Sequence, residues 1–140
     1  ASMLAGMRLY LCRHAQAAAG EPDELRALTP AGVEQARSLG ASLAAAAPPP
    51  ALVLTSPLLR ARQTAEAIAR ATGSALRVDE RLAPGATAET LLAALAGSAD
   101  AVAAVGHQPD CSEIALALTG SDPGFPVGGV VAVDLDDDRA

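Results

Sequence analysis

Lysine is absent from this 140-residue chain, so arginine supplies all ten of its basic residues. A Walker-type phosphate loop needs a lysine that reaches the phosphates, and the composition therefore excludes it. Aromatic residues are almost as scarce, with one tyrosine, one phenylalanine and no tryptophan. A core with so few bulky side chains must close by near approach of alanine-rich helices to a sheet. The net charge of −6 argues against a general nucleic-acid surface.

Long apolar runs and cysteines are also in short supply. No stretch approaches the roughly 20 apolar residues that a transmembrane helix needs, so we expect no membrane partner. Residues 1–6 lack the basic start and apolar core of a signal peptide. We interpret them as a tag remnant or a disordered start of a single domain over residues 1–140. Cys12 and Cys111 are the only cysteines, a usage that favours a reduced, cytoplasmic protein over a disulfide scaffold.

Three short apolar runs are each followed by residues that can hold an anion. The runs and their followers are Leu9–Cys12 with Arg13 and His14, Ala51–Thr55 with Arg60, and Ala101–Val105 with His107. Runs of this length without polar alternation are typical of strands buried on both faces. If the three strands are parallel and adjacent, their carboxyl ends bring both histidines and two arginines to one sheet edge. Such a cluster fits phosphate.

Helical segments alternate with these strands. The predicted helices run from the Thr29-Pro30 cap to about residue 46, from the Ser56-Pro57 cap to about 72, from the Thr87 cap to about 97, and over 110–118. The apolar face of the first helix is predicted to comprise Val33, Ala36, Leu39, Gly40, Leu43 and Ala47. Two further strands are expected at 75–79, near the sheet edge, and at 130–135. This alternation predicts a three-layer α/β/α sandwich with a mainly parallel sheet of about five strands.

Four motifs occur in order along the chain. They are Arg13-His14-Ala15, Leu28-Thr29-Pro30-Ala31-Gly32, Ser56-Pro57-Leu58-Leu59-Arg60 and Val105-Gly106-His107. Together they resemble the histidine phosphatase superfamily, and the short length and the alanine after His14 resemble its SixA-type phosphohistidine phosphatase branch. The resemblance implies a phosphoglycerate mutase-like fold with His14 as the nucleophile. It also implies that Arg13, Arg60 and His107 grip the transferring phosphoryl group, without metal or cofactor.

The loop after the third predicted strand departs from that family pattern. Many members carry an acidic residue there that protonates the leaving group. Arg81 falls at this position, and the adjacent Glu80 is either a tentative acid or a surface carboxylate. An imidazole leaving group tolerates a missing acid, and no segment between the third and fourth strands is long enough for a substantial lid. We therefore expect the substrate to be protein phosphohistidine, for example on a phosphorelay histidine domain.

Two other functions stay open at this stage. A small-molecule phosphomonoesterase would use Glu80 as its acid, and a phosphate-binding module would show little turnover. Each residue also has a structural interpretation when it is taken alone. His14 or His107 could be a hydrogen-bonded histidine at a strand end, and Arg60 could be a solvent-exposed helix arginine. The joint placement of all four at one sheet edge is what favours catalysis.

Overall fold

The structure is a computed structural model that describes residues 6–135. The interpretation of residues 1–5 therefore falls outside the described part of the chain. The strands are β1 (Met7–Arg13), β2 (Leu52–Thr55), β3 (Ala75–Val78), β4 (Ala101–Gly106) and β5 (Val130–Leu135). The helices are α1 (Pro30–Ala44), α2 (Leu59–Thr72), α3 (Ala88–Leu95) and α4 (Asp110–Thr119), and short 3-10 turns cover Asp23–Leu25 and Glu80–Leu82.

The strands form one sheet in the order β3-β2-β4-β1-β5. The pairs from β3 to β1 are parallel, and β5 runs antiparallel to β1 at one edge. Side chains on one sheet face pack against α1 and α2, and those on the other face pack against α3 and α4. This arrangement confirms the predicted three-layer α/β fold. The edge position predicted for β3 is also confirmed, and every residue of that strand is exposed.

Small residues let the helices approach one another closely, as the scarcity of aromatics requires. A Cβ added to Gly40 of α1 would lie only 2.9 Å from the carbonyl oxygen of Ala67 in α2. The buried stripe of α1 consists of Gly32, Ala36, Leu39, Gly40 and Leu43. None of the helices within residues 6–135 has both the length and the apolarity to cross a membrane.

Three details of the predicted helices are wrong. Val33 lies beside the buried stripe of α1 and is 45% exposed, because the helix contacts α2 through its smaller residues. Helix α1 ends at Ala44, so Ala47 follows it and is exposed. The hydroxyl of Ser56 does not cap α2, which begins at Leu59 without a side-chain cap.

Candidate active site

The carboxyl ends of β2, β4 and β1 lie side by side, as predicted from the three apolar runs. The His14 N–H donates to the carbonyl of Gly106 at 3.0 Å, and the Ser56 N–H donates to the carbonyl of Val105 at 3.1 Å. Parallel pairing thus continues one residue beyond the strands. It brings the rings of His14 and His107 to a centroid distance of 5.2 Å.

His14 is held in one tautomer by its own backbone. Its Nδ1 lies 2.7 Å from the carbonyl oxygen of Ala15. Because a carbonyl can only accept, Nδ1 carries the proton and Nε2 keeps its lone pair. Burial of the ring lowers the pKa of His14, and the charges of Arg60, Arg13 and Arg26 lower that pKa further. The imidazole is therefore neutral at pH 7 and carries an unprotonated nitrogen.

The segment after His14 is fixed by α1 and α2. The Ala15 N–H donates to the hydroxyl of Thr64 at 3.0 Å, and that hydroxyl donates to the carbonyl of Arg60 at 2.8 Å. A Cβ added to Gly32 of α1 would lie 2.0 Å from the carbonyl oxygen of Gln16. Only glycine permits this approach, so the Leu28–Gly32 motif positions the backbone immediately after His14.

Two arginines act on His14 from different elements. Arg13, the last residue of β1, donates from Nη1 to the carbonyl of Phe125 at 2.8 Å. Its Nε is buried and has no hydrogen-bond partner among the described residues. Arg60, in the first turn of α2, is buried, which disfavours its interpretation as a solvent-exposed helix arginine. Both arginines lower the pKa of His14 through their charge.

Asp23 is a site residue that the sequence analysis missed. Its backbone carbonyl accepts from Nη1 of Arg60 at 2.9 Å, and its Oδ2 accepts from Nη2 of Arg60 at 3.2 Å. Its Oδ1 accepts from Nη1 of Arg26 at 3.0 Å. The hydrogen bonds from Arg26 and Arg60 lower the pKa of Asp23, so the carboxylate is charged. An acidic residue in an irregular loop gives no sequence signal that it will fold onto a particular arginine.

His107 follows β4 and is 4% exposed. Its Nε2 lies 2.7 Å from the hydroxyl oxygen of Ser56, whereas its buried Nδ1 has no hydrogen-bond partner among the described residues. A buried N–H without an acceptor is more costly than a buried lone pair, so the proton belongs on Nε2. Burial lowers the pKa of His107 to about 4, with contributions from His14 and Arg60. Ser56 is a second residue that sequence reasoning placed in another role.

Glu80 opens the short 3-10 turn that follows β3, and its side chain is exposed. Its carboxylate makes no hydrogen bond or ion pair with another described residue. The neighbouring Arg81 donates to both carboxylate oxygens of Asp79, at 2.9 and 2.8 Å. The geometry therefore leaves Glu80 without a fixed partner. Within residues 6–135, no group of three histidine, cysteine or acidic side chains could hold a metal ion.

Comparison with known proteins gives one family match and several similar structures. The model of the histidine phosphatase superfamily (branch 1) matches residues 9–88. A protein from Agrobacterium tumefaciens, provisionally described as the phosphohistidine phosphatase SixA, is 33% identical over 91% of each chain, with a TM-score of 0.80. The protein histidine phosphatase SixA complexed with tungstate is 26% identical, with a TM-score of 0.84 over 95% of this chain and 91% of the other. No protein of curated function matches the sequence.

Proposed function

The chain belongs to branch 1 of the histidine phosphatase superfamily, and from this premise we propose that it is a metal-independent phosphatase that acts on protein phosphohistidine through a phosphorylated His14. One observation carries the proposal. The hydrogen bond from Nδ1 of His14 to the Ala15 carbonyl leaves Nε2 unprotonated, and arginine charges surround that ring. A neutral, oriented imidazole among cations is what nucleophilic attack on a phosphoryl group requires.

In the first step, a bond forms between His14 Nε2 and phosphorus. The bond from phosphorus to the substrate nitrogen breaks, and its electron pair stays with the departing imidazole. Arg13, Arg60 and the Nε2–H of His107 stabilise the charge that spreads over the phosphoryl oxygens. In the ligand-free protein this N–H donates to the hydroxyl of Ser56 at 2.7 Å, so it exchanges that acceptor for a phosphoryl oxygen when the substrate binds.

In the second step, water attacks the phosphorus of phospho-His14. The bond from phosphorus to Nε2 breaks, the electron pair returns to His14, and both protons of the water leave with the product as dihydrogen phosphate. No oxidant or metal is needed for either step. A substrate phosphohistidine with a protonated ring leaves as neutral imidazole, so the first step does not depend on an acid at Glu80.

The small amount of chain that covers the site at the carboxyl edge of the sheet supports a substrate carried by a protein. The chain between β3 and α3 holds only a short 3-10 turn, which leaves little to cover a small molecule. The structure holding tungstate is a protein histidine phosphatase, and its similarity covers nearly the whole chain. Both cysteines here are buried and free, which supports a reducing, cytoplasmic setting for the phosphoprotein partner.

The test is turnover of a phosphohistidine protein compared with sugar and aryl phosphates, with a chelator present throughout. Rapid loss of phosphohistidine with slow ester hydrolysis supports the proposal. The opposite preference rejects protein phosphohistidine as the substrate.

The role of His14 is tested separately with His14→Ala. Because the nucleophile is gone, we expect turnover to fall at least about a thousandfold. Wild-type protein quenched during turnover should carry acid-labile phosphate, and the variant should carry none. An active alanine variant would reject the covalent route. Circular dichroism controls for folding.

Two alternatives make different predictions. If Glu80 is the acid of a phosphomonoesterase, Glu80→Gln will slow the hydrolysis of alkyl phosphates and leave that of aryl phosphates nearly unchanged. Glu89→Gln, at another exposed glutamate, is the matched control.

If the chain is a phosphate-binding module, vanadate will bind while no phosphoenzyme forms from any substrate.

A further inference from the structure

Arg60 donates hydrogen bonds from two of its nitrogens to Asp23, which lies 37 positions earlier at the start of a short 3-10 turn. Nη1 donates to the backbone carbonyl of Asp23 at 2.9 Å, and Nη2 donates to Oδ2 of the same residue at 3.2 Å. A guanidinium has five N–H groups in one plane. These two bonds fix that plane and leave three N–H groups, including the one on Nε, for another acceptor.

The carboxylate that orients Arg60 is itself held. Oδ1 of Asp23 accepts from Nη1 of Arg26 at 3.0 Å, and Nε of Arg26 donates to the Ala18 carbonyl at 2.7 Å. The chain of contacts runs from a loop backbone through Arg26 and Asp23 to Arg60. We call the three side chains of Asp23, Arg26 and Arg60 the clasp.

A carboxylate beside a phosphate site is unexpected on charge alone, because it repels the anion. The ion pair between Asp23 and Arg60 also adds little to the free energy of unfolding, because the Asp23 side chain is 58% exposed and solvent screens the attraction. The Arg60 side chain is only 9% exposed and acts on the pKa of His14, which places the other end of the clasp inside the site. A role for the Asp23 carboxylate in orienting Arg60 explains why it lies beside an anion site and why its ion pair need not stabilise the fold.

We propose that Asp23 is a positioning residue, whose carboxylate holds the Arg60 guanidinium in the orientation that binds the phosphoryl oxygens. This inference rests on the proposed function only in that the ligand is a tetrahedral or trigonal oxyanion. It does not depend on which phosphorylated substrate the protein uses.

Charge and positioning predict opposite results for Asp23→Ala. If the carboxylate only repels the ligand, the variant will bind an oxyanion more tightly. If the carboxylate orients Arg60, the variant will bind the oxyanion more weakly, because only the Nη1 bond to the backbone carbonyl of residue 23 remains and the guanidinium can turn about it. The sign of one affinity change therefore separates the two accounts.

The experiment is calorimetric titration of the intact protein with vanadate, which needs no substrate. We expect Asp23→Ala to weaken vanadate binding about tenfold and to lower kcat by at least as much as it raises KM. Asp23→Asn retains an oxygen acceptor for Arg60 and should recover part of the loss. Glu34→Ala removes an exposed carboxylate paired with Arg37 on α1 and should leave binding unchanged.

A double-mutant cycle tests whether Asp23 acts through Arg60. In an Arg60→Ala background, adding Asp23→Ala should change vanadate affinity by less than about twofold. The proposal is overturned if Asp23→Ala binds vanadate as tightly as wild type or more tightly. It is also overturned if Asp23→Asn is no better than alanine, or if the full loss persists without Arg60. These results can be interpreted even if the protein does not prefer phosphohistidine protein over phosphate esters, because vanadate binding is measured without turnover.

Discussion

The protonation of the two histidines gives the sharpest prediction, because the chain has no others. Burial, together with His14 and Arg60, lowers the pKa of His107 to about 4. The pKa of His14 is lowered as well, mainly by burial and then by arginine charges. At pH 5.5 an ordinary histidine of pKa 6.5 is about 90% protonated, whereas one of pKa 4 is about 3% protonated.

Proton NMR in a phosphate-free buffer measures both values directly. The two imidazole C–H resonances can be assigned with His14→Gln, which removes one of them. We expect His107 to titrate near pH 4 and His14 to titrate below 6.5. Added vanadate should raise the pKa of His107, because a neighbouring anion favours the imidazolium form. Titration of either ring at or above pH 6.5 in the ligand-free protein would refute the argument from burial and arginine charge.

The same pKa values predict how stability varies with pH. Both folded-state values lie below the unfolded value, so the unfolded chain binds more protons as pH falls below 6.5. The free energy of unfolding should therefore fall from pH 6.5 towards 4, by up to about 1.4 kcal/mol per pH unit for each histidine that stays neutral. Urea unfolding of wild type and His107→Gln isolates the contribution of His107. An identical pH dependence in the two proteins would contradict it.

Two further substitutions test the packing that supports the site. Gly32→Ala places a Cβ 2.0 Å from the Gln16 carbonyl, and the required backbone shift should cost about 2 kcal/mol or more and lower the melting temperature by several degrees. Asp110→Ala removes the buried Oδ2 that accepts from the N–H groups of Gly85 and Ala86 at 2.8 and 3.2 Å, which should cost about 2–3 kcal/mol in urea unfolding. A neutral result for either would mean that the neighbouring loop adjusts freely.

Local pattern predicts the main elements of this fold well. The apolar runs that end at Cys12, Thr55 and Val105 contain no polar alternation, and each becomes a strand buried on both faces. Parallel strands share a carboxyl edge, so the neighbourhood of His14 and His107 follows from the strand assignments alone. Three of the four sequence motifs carry the same information because they lie at the carboxyl ends of those strands, whereas Leu28–Gly32 lies at the start of α1.

Residues that act across long sequence distances could not be predicted in the same way. Asp23 and Arg60 are 37 positions apart, and Ser56 and His107 are 51 apart. A serine before proline has a strong local interpretation as a helix cap. The Ser56 hydroxyl does accept from the N–H of Leu58 at 3.2 Å, but no local pattern indicates its second contact, with His107. Val33 fits the helical period, but small residues determine which face of α1 contacts α2. Contacts of these kinds depend on how the elements pack and not on any local pattern.

The absence of lysine is consistent with the electrostatics of the site. Arg13, Arg26 and Arg60 supply three fixed positive charges, and Asp23 removes one of them. With both imidazoles neutral, the ligand-free site has a surplus of two positive charges, which matches the roughly two negative charges of a phosphoryl group at neutral pH. Guanidinium groups keep their charge when buried, whereas a buried lysine readily loses its proton. Permanent arginine charge therefore keeps the neighbouring His14 unprotonated. In the proposed mechanism the same side chains also bind the anion, so one set of arginines would serve both the binding and the nucleophilic attack.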